Sequence, residues 1–450
     1  MAVNVRARAK PWLPLFLLAV CLSSAGCNRA SSAPPAKPPV ITFMGWGPAT
    51  QRELSMDRGV FDQFTEQTGI PVDFISGPES MTERLELYRR YLRAHSSTPD
   101  VYYIDVVWPA VLADQTLDLN QYLAKEAGDQ LETQLRNDTV NGRLTSMPFN
   151  TELGVLYYRA DLLRKYGYRN PPVTWDELEK MAARIQAGER AGGNQDFWGY
   201  VWQGAAYEGL TCNAMEWQVS HGGGNLIEPD GSITVNNPRT IEAMQRARRW
   251  IGTISPPSVV AFKEQDSRNL FHAGNAAFER DWLWRQFSQE SLSANTKSAT
   301  AIALLPGGRA GKASTLGGQS LAISRYSQHP REAAELVRYL TSHDEQLALW
   351  KKHAMLPTRR EFYSSPEYLQ DRPGIAQLWK QLGSVTVARP STVSGPYYDD
   401  VSRAYFSAVH SILAGEQDAG RAMSALQAKL ESITGGKPGP PPGAGATQKQ

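Results

Sequence analysis

The side chains best equipped for chemistry in this chain are aromatic rings set directly beside charge. Four short stretches place a tryptophan next to a carboxylate, a guanidinium or flanking glycines: Gly45-Trp46-Gly47, Ile104-Asp105-Val106-Val107-Trp108, Glu216-Trp217 and Phe278-Glu279-Arg280-Asp281-Trp282. A ring offers a flat apolar face, and a neighbouring carboxylate, amide or guanidinium gives hydrogen bonds of fixed direction. Together they suit a ligand with C–H faces and many hydroxyls, a sugar above all, held in a cleft. Most of the twelve tryptophans and eighteen tyrosines must pack in a core. The pairing with charge is what singles these stretches out.

Other chemistries lack their residues. The seven histidines, at positions 95, 221, 272, 329, 343, 353 and 410, show no pair at metal-ligand spacing and no cysteine partner. Gly307–Lys312 looks like a phosphate loop, but Pro306 holds the first-glycine position and Ala313 replaces the hydroxyl needed for Mg²⁺. Gly222-Gly223-Gly224 has no dinucleotide frame, and no Gly-x-Ser-x-Gly elbow occurs. Two carboxylates, Asp105 and Glu152, leave a secreted glycoside hydrolase as an alternative. Such an enzyme sets its pair about 5–5.5 Å apart for retention or about 6.5–9.5 Å for inversion. With no cofactor or metal implied, the absences favour binding over catalysis.

The elements that must position these residues read as short apolar runs alternating with longer helical patterns. Val40–Met44, Val72–Ile75 and Val101–Ile104 read as strands. Thr174, with Glu177 three residues on, predicts a capped helix, and Pro330 predicts a helix first turn. Met423, Leu426, Leu430 and Ile433 recur at helical spacing as a core face. Strand–helix alternation predicts an α/β architecture, and a folded body of roughly 400 residues exceeds a comfortable single domain, so two are expected.

The ends carry different information. Arg6, Arg8 and Lys10 precede the apolar run Trp12–Leu22, and Ser23-Ser24-Ala25-Gly26 lead to Cys27, the order of a secretory signal over residues 1–26. Cys27 after Ala25-Gly26 resembles a bacterial lipobox, although Ser24 stands where leucine is usual; ordinary cleavage near Ala25 is the alternative. Residues 27–39 read as the lipid-attachment cysteine and a Pro/Ala/Ser-rich tether, and residues 435–450 as a disordered tail. Of 47 basic and 45 acidic residues, residues 1–26 hold three basic and no acidic ones, so 44 face 45 in the remainder. That near-neutral balance gives no electrostatic case for nucleic acid. Cys27 and Cys212 are the only cysteines left, too few for a disulfide framework once Cys27 carries lipid.

Several segments resemble extracellular solute-binding proteins of ABC importers. They are Thr98–Trp108, Leu156–Leu163, Pro172–Leu178, Gly274–Phe278, Thr315–Gly318 and Met355–Thr358, in the family's order across nearly the whole body. Phe197–Gly204, Tyr207–Gly209 and Phe278–Trp282 are similar to the trehalose/maltose-binding subgroup. The resemblance implies a two-lobed periplasmic-binding-protein-like fold with a multi-strand hinge and an interlobe ligand cleft. It implies lobe 1 at 40–147 plus 307–357 and lobe 2 at 148–306 plus 358–434, with crossings near 147–149, 305–307 and 357–359. Its implied ligand residues are Glu53, Arg84, Asp105, Asn150, Glu152, Trp282, Gly317, Gly318, Gln319 and Arg389, and the pairing with Glu216 adds Trp217 as a candidate. Asn150 and Glu152 stand where the family often has Tyr and Asp, and Gln319 where it has Trp. The implied protein is an exported monomer, held at the membrane by its N-terminal lipid. It takes a disaccharide, trehalose or then maltose, to the transmembrane subunits of an ABC permease. A sugar-sensing surface lipoprotein is the other reading.

Overall fold

The computed structural model describes residues 38–46, 59–78, 81–283, 299–353, 355–371, 378 and 384–440. The expected signal, Cys27 and Glu53 lie outside the described residues. The strands are β1 (Ile41–Trp46), β2 (Val72–Gly77), β3 (Val101–Asp105), β4 (Thr139–Val140), β5 (Arg143–Leu144), β6 (Met147–Arg159), β7 (Trp198–Val201), β8 (Ala276–Trp282), β9 (Thr300–Leu304), β10 (Ser314–Ile323) and β11 (Thr386–Val387). Local signals act where they occur. The Thr174 side chain accepts from the Glu177 N–H, and Glu177 accepts in return from the Thr174 N–H, which starts the helix Trp175–Ala191. Pro330 opens the helix Pro330–Leu340, where a missing N–H costs nothing. In the helix Ala419–Thr434, Met423, Leu426 and Leu430 are buried on one stripe, with Ile433 packed against the same core.

The main sheet runs β2-β1-β3-β10-β6-β8-β7, with β11 added to β10 and β9 to β6. β1, β2 and β3 are parallel, and β10 is antiparallel to both β3 and β6. β6 changes partners along its length. Residues up to Leu153 pair with β10; from Gly154 onward β8 lies on one side and, from Val155, β9 on the other. Two half-sheets therefore share a central pair of strands, and the apolar cores divide accordingly. Phe43, Phe64, Val101, Leu321 and Val337 fill one face of the first lobe, and Met44, Tyr88, Ile104 and Trp108 the other. Leu156, Trp175, Trp202, Trp217 and Phe278 fill one face of the second lobe, and Val155, Phe271, Leu304 and Trp350 the other. Full burial of each large side chain contributes about 1.5–3 kcal/mol before chain entropy is subtracted.

Two boundaries differ from expectation. Leu305 packs in the second lobe's core, and Gly307 exchanges backbone hydrogen bonds with Val173 and Trp175. The strand that passes between the lobes is β10, so that crossing comes after 305–307. Beyond 435 the chain continues along the body: the Ile233 N–H donates to the Lys437 carbonyl (2.8 Å), and the Gly439 N–H to that of Ile233 (3.0 Å). The segment ending in Thr358 runs beside the start of β6, where the Thr358 hydroxyl donates to the Pro148 carbonyl and the Thr151 N–H to that of Leu356.

Asp138 ends the helix Glu132–Asp138 and is fully buried near Ser320, which follows a register shift in β10. Burial pushes its carboxyl up to about 7, against the hydrogen-bonding pull of Ser320 and Asn137. A carboxyl raised in the folded state holds its proton after the unfolded chain has lost it. Its contribution is therefore present below about pH 4 and lost by about pH 7, an upper bound of about 4 kcal/mol. Asp138→Asn should flatten the fall in thermal stability between pH 4 and pH 7 in calorimetric melts; an unchanged pH profile would refute this assignment.

Candidate ligand-binding site

Strand register builds the site. Gln319 on β10 lies opposite Asp105 on β3 and opposite Asn150 on β6. Two residues further along, Gly317 lies opposite Glu152, and after two more Gly154 lies opposite Trp282 on β8. Residues at spacing two, and those directly opposed in antiparallel strands, share a face. Asp105, Gln319, Asn150, Glu152 and Trp282 thus form one row across the crossing strands. The four polar members are buried and Trp282 is partly exposed. The Gln319 N–H donates to Asn150 Oδ1 (2.7 Å), Tyr103 Oη to Gln319 Oε1 (3.1 Å), and the Val106 N–H to the Gly318 carbonyl (3.1 Å).

The glycines in the row have physical reasons. Gly318 has φ +117°, and a Cβ there would run into the Asn150 carbonyl oxygen. A Cβ on Gly317 would stand 2.8 Å from the Trp282 ring, so that ring lies directly over Gly317. The Arg280 guanidinium carbon sits 4.2 Å from the centroid of the Trp282 ring system. Arg280 is pinned by a buried two-bond pair with Glu216 (2.6 and 3.0 Å).

Positive charge enters the row through Arg389. Its Nη1 donates to Glu208 Oε1 (2.7 Å), and its Nη2 reaches Asp105 Oδ1 (3.4 Å) and the Leu316 carbonyl (3.3 Å). Arg84 is 1% exposed, packs 4.1 Å from the Trp46 ring and 5.4 Å from that of Trp108, and donates to the Pro78 carbonyl (2.8 Å). Burial lowers the Arg84 pKa, with Tyr88 and Asp105 acting against it. Arg84 thereby ties together the carboxyl ends of β1, β2 and β3, the edge where open α/β sheets hold ligands. Among the described residues, no group of three or more His, Cys, Asp or Glu converges as a metal would require.

A model of the bacterial extracellular solute-binding protein family matches residues 48–347. The chain belongs to that family. It is 43% identical over 376 residues to a probable ABC transporter-binding protein of Deinococcus radiodurans, covering 83% of this chain and 89% of the relative. The maltose-bound MalE3 structure of T. maritima is 33% identical, covers 88% of this chain and all of its own, and superposes with a TM-score of 0.79. The maltodextrin-binding protein MdxE of Bacillus subtilis is 24% identical over 252 residues, 54% of this chain and 55% of its own. Solute-binding proteins of this fold carry their ligand unchanged, which removes the glycoside hydrolase alternative.

Within this solute-binding protein, the structure brings together Asp105, Asn150, Glu152, Trp282, Gly317, Gly318, Gln319 and Arg389, with Arg84 behind them. It does not bring Trp217 to the row. That ring is 1% exposed and meets Trp202 (5.0 Å) and Trp250 (5.6 Å) edge to face in the second lobe's core. Its neighbour Glu216 serves Arg280. Sequence reading missed Glu208, Tyr103 and Tyr398, whose roles come from long-range packing; only the run Tyr207–Gly209 offered a signal. Among described residues no helix is long and apolar enough to cross a membrane.

Gly318→Ala forces an L-residue into left-handed backbone against Asn150. It should lower unfolding free energy by about 1–3 kcal/mol in urea titrations. A midpoint equal to wild type would refute the close approach.

Proposed function

We propose that this chain is the receptor of an ABC sugar importer, closing its lobes over a disaccharide and delivering it to a permease. Maltose and trehalose head the ligand class. The observation that carries this reading is the row of buried polar groups on the crossing strands, ended by the Trp282 ring. Two carboxylates, two amides and a guanidinium match a ring of hydroxyls, and the indole matches a sugar's C–H face. The maltose-bound relative at 33% identity supports the class. Asn150, Glu152 and Gln319 set which hydroxyls are matched, and Arg389 gives a planar fork to a vicinal pair. Residues 1–26 serve export and Cys27 lipid attachment, so the monomer works in the periplasm or at the cell surface beside its transmembrane partners.

Calorimetric titration of the mature protein with maltose, trehalose and sucrose tests the reading. Saturable binding of maltose or trehalose is expected, and folded protein silent to all three would overturn it. Trp282→Ala removes the platform and should weaken binding by at least about tenfold, the scale of a central aromatic contact.

A further inference from the structure

The Arg389 guanidinium is held by two carboxylates from different lobes. Asp105 ends β3 and belongs with the first lobe's core residues Ile104, Val106 and Trp108. Glu208 begins the helix Glu208–Ser220, whose Leu210, Ala214, Met215 and Trp217 lie in the second lobe's core. The two contacts are unequal. Nη1 to Glu208 is 2.7 Å, a normal charge-assisted hydrogen bond, whereas Nη2 to Asp105 is 3.4 Å, at the long limit. Glu208 is itself fixed: its Oε1 also accepts from the Tyr398 hydroxyl and its Oε2 from that of Ser402. Both donors lie on the helix Tyr398–Leu413. Tyr398, at its start, packs with the first lobe's core residues, whereas from Val401 onward, through Tyr405 and Val409, the helix packs in the second lobe. The Ser402 hydroxyl is therefore the donor that ties Glu208 to that lobe. Arg389 Nε is buried and has no hydrogen-bond partner among the described residues.

We infer that Glu208 is a positioning residue that anchors the Arg389 fork to the second lobe, so that the Arg389–Asp105 contact forms and breaks as the lobes close. Glu208 touches no ligand; it aims Nε and Nη2, the unused and the loosely used donors, at the ligand's oxygens. A fork left to swing would lose the fixed geometry that distinguishes arginine from a point charge. The inference rests on the sugar-receptor reading for its ligand, but its geometry stands apart from it.

The test is a double-mutant cycle with maltose and trehalose as probes, on wild type, Glu208→Gln, Arg389→Lys and the double variant, with circular dichroism confirming the fold. Glu208→Gln keeps the shape and removes the charge, and should weaken binding by about tenfold, the worth of one oriented charge-assisted bond. In the Arg389→Lys background the same change should cost almost nothing, because no fork remains to aim. Independent, additive losses, or full affinity in Glu208→Gln, would overturn the inference. If Glu208→Gln does not fold, Glu208→Asp takes its place with the same expectation. If wild type binds neither sugar, the ligand reading fails and the positioning is read in ligand-free protein by NMR of the Arg389 Nε–H. Its exchange with water should quicken in Glu208→Gln and hold in Asp105→Asn. The reverse pattern would show that Asp105 is the anchor.

Discussion

Everything at the site depends on the antiparallel pairing of β6 with β10. Both strands are almost wholly buried, yet their middles carry Asn150, Thr151, Glu152 and Gln319 instead of apolar residues. Buried polar groups are tolerated only when bonded, and the pair supplies those bonds internally, as between the Gln319 N–H and Asn150. A slip of one residue would send Asn150 and Glu152 to the opposite face and bury apolar neighbours against the cleft. Gly318 and the register shift after Gln319 hold the alignment locally, while separate apolar cores clamp each end.

Three of the buried guanidiniums that frame this row meet carboxylates: Arg280 with Glu216, Arg268 with Asp281, and Arg389 with Glu208 and Asp105. Such pairs add little net stability over apolar packing, but losing one partner costs about 3–5 kcal/mol, so they resist rearrangement. That resistance is their use here. Arg280, fixed by Glu216, backs the Trp282 ring, and Arg268 grips Asp281 one residue earlier in β8 (2.5 and 2.9 Å). Among the described residues Glu279 makes no such two-bond pair; burial and then Asp281 raise its carboxyl, against the pull of Arg268 and a hydrogen bond with Ser267.

How much of this was legible depended on the range of the interaction. The Thr174 cap, the Pro330 start and the Met423–Leu430 stripe are local, and composition and spacing revealed them. Asp105 and Trp108 were legible because they sit at the end of an apolar strand, where side chains face a cleft. Trp217 read as a site residue because Glu216 adjoins it in sequence, but on a helix successive residues diverge by about 100°, so one entered the core and the other met Arg280. Glu208 showed only through the run Tyr207–Gly209 and its role not at all, because its partners Arg389, Tyr398 and Ser402 lie some 180 to 194 residues away. Nor does any local pattern show that β10, rather than 305–307, passes between lobes, since that follows from which strands it pairs with.

On the proposed reading, the arrangement separates what fixes a ligand's identity from what lets it in. Asn150, Glu152 and Gln319 sit on strands shared by both lobes, so a hinge motion barely alters their mutual spacing. The groups beside them belong to one lobe each. Trp46, Arg84 and Trp108 form a guanidinium–indole stack on the strand ends of the first lobe, and Trp282 with Arg280 forms another on the second. A hinge moves these two stacks relative to each other while Asn150, Glu152 and Gln319 between them stay put. A ligand touching only the row gains the same contacts open or closed and cannot drive closure, because only differential contacts shift a conformational equilibrium. Closure must therefore be driven by contacts that span the stacks, and recognition of hydroxyl pattern can be tuned on β6 and β10 without altering the motion.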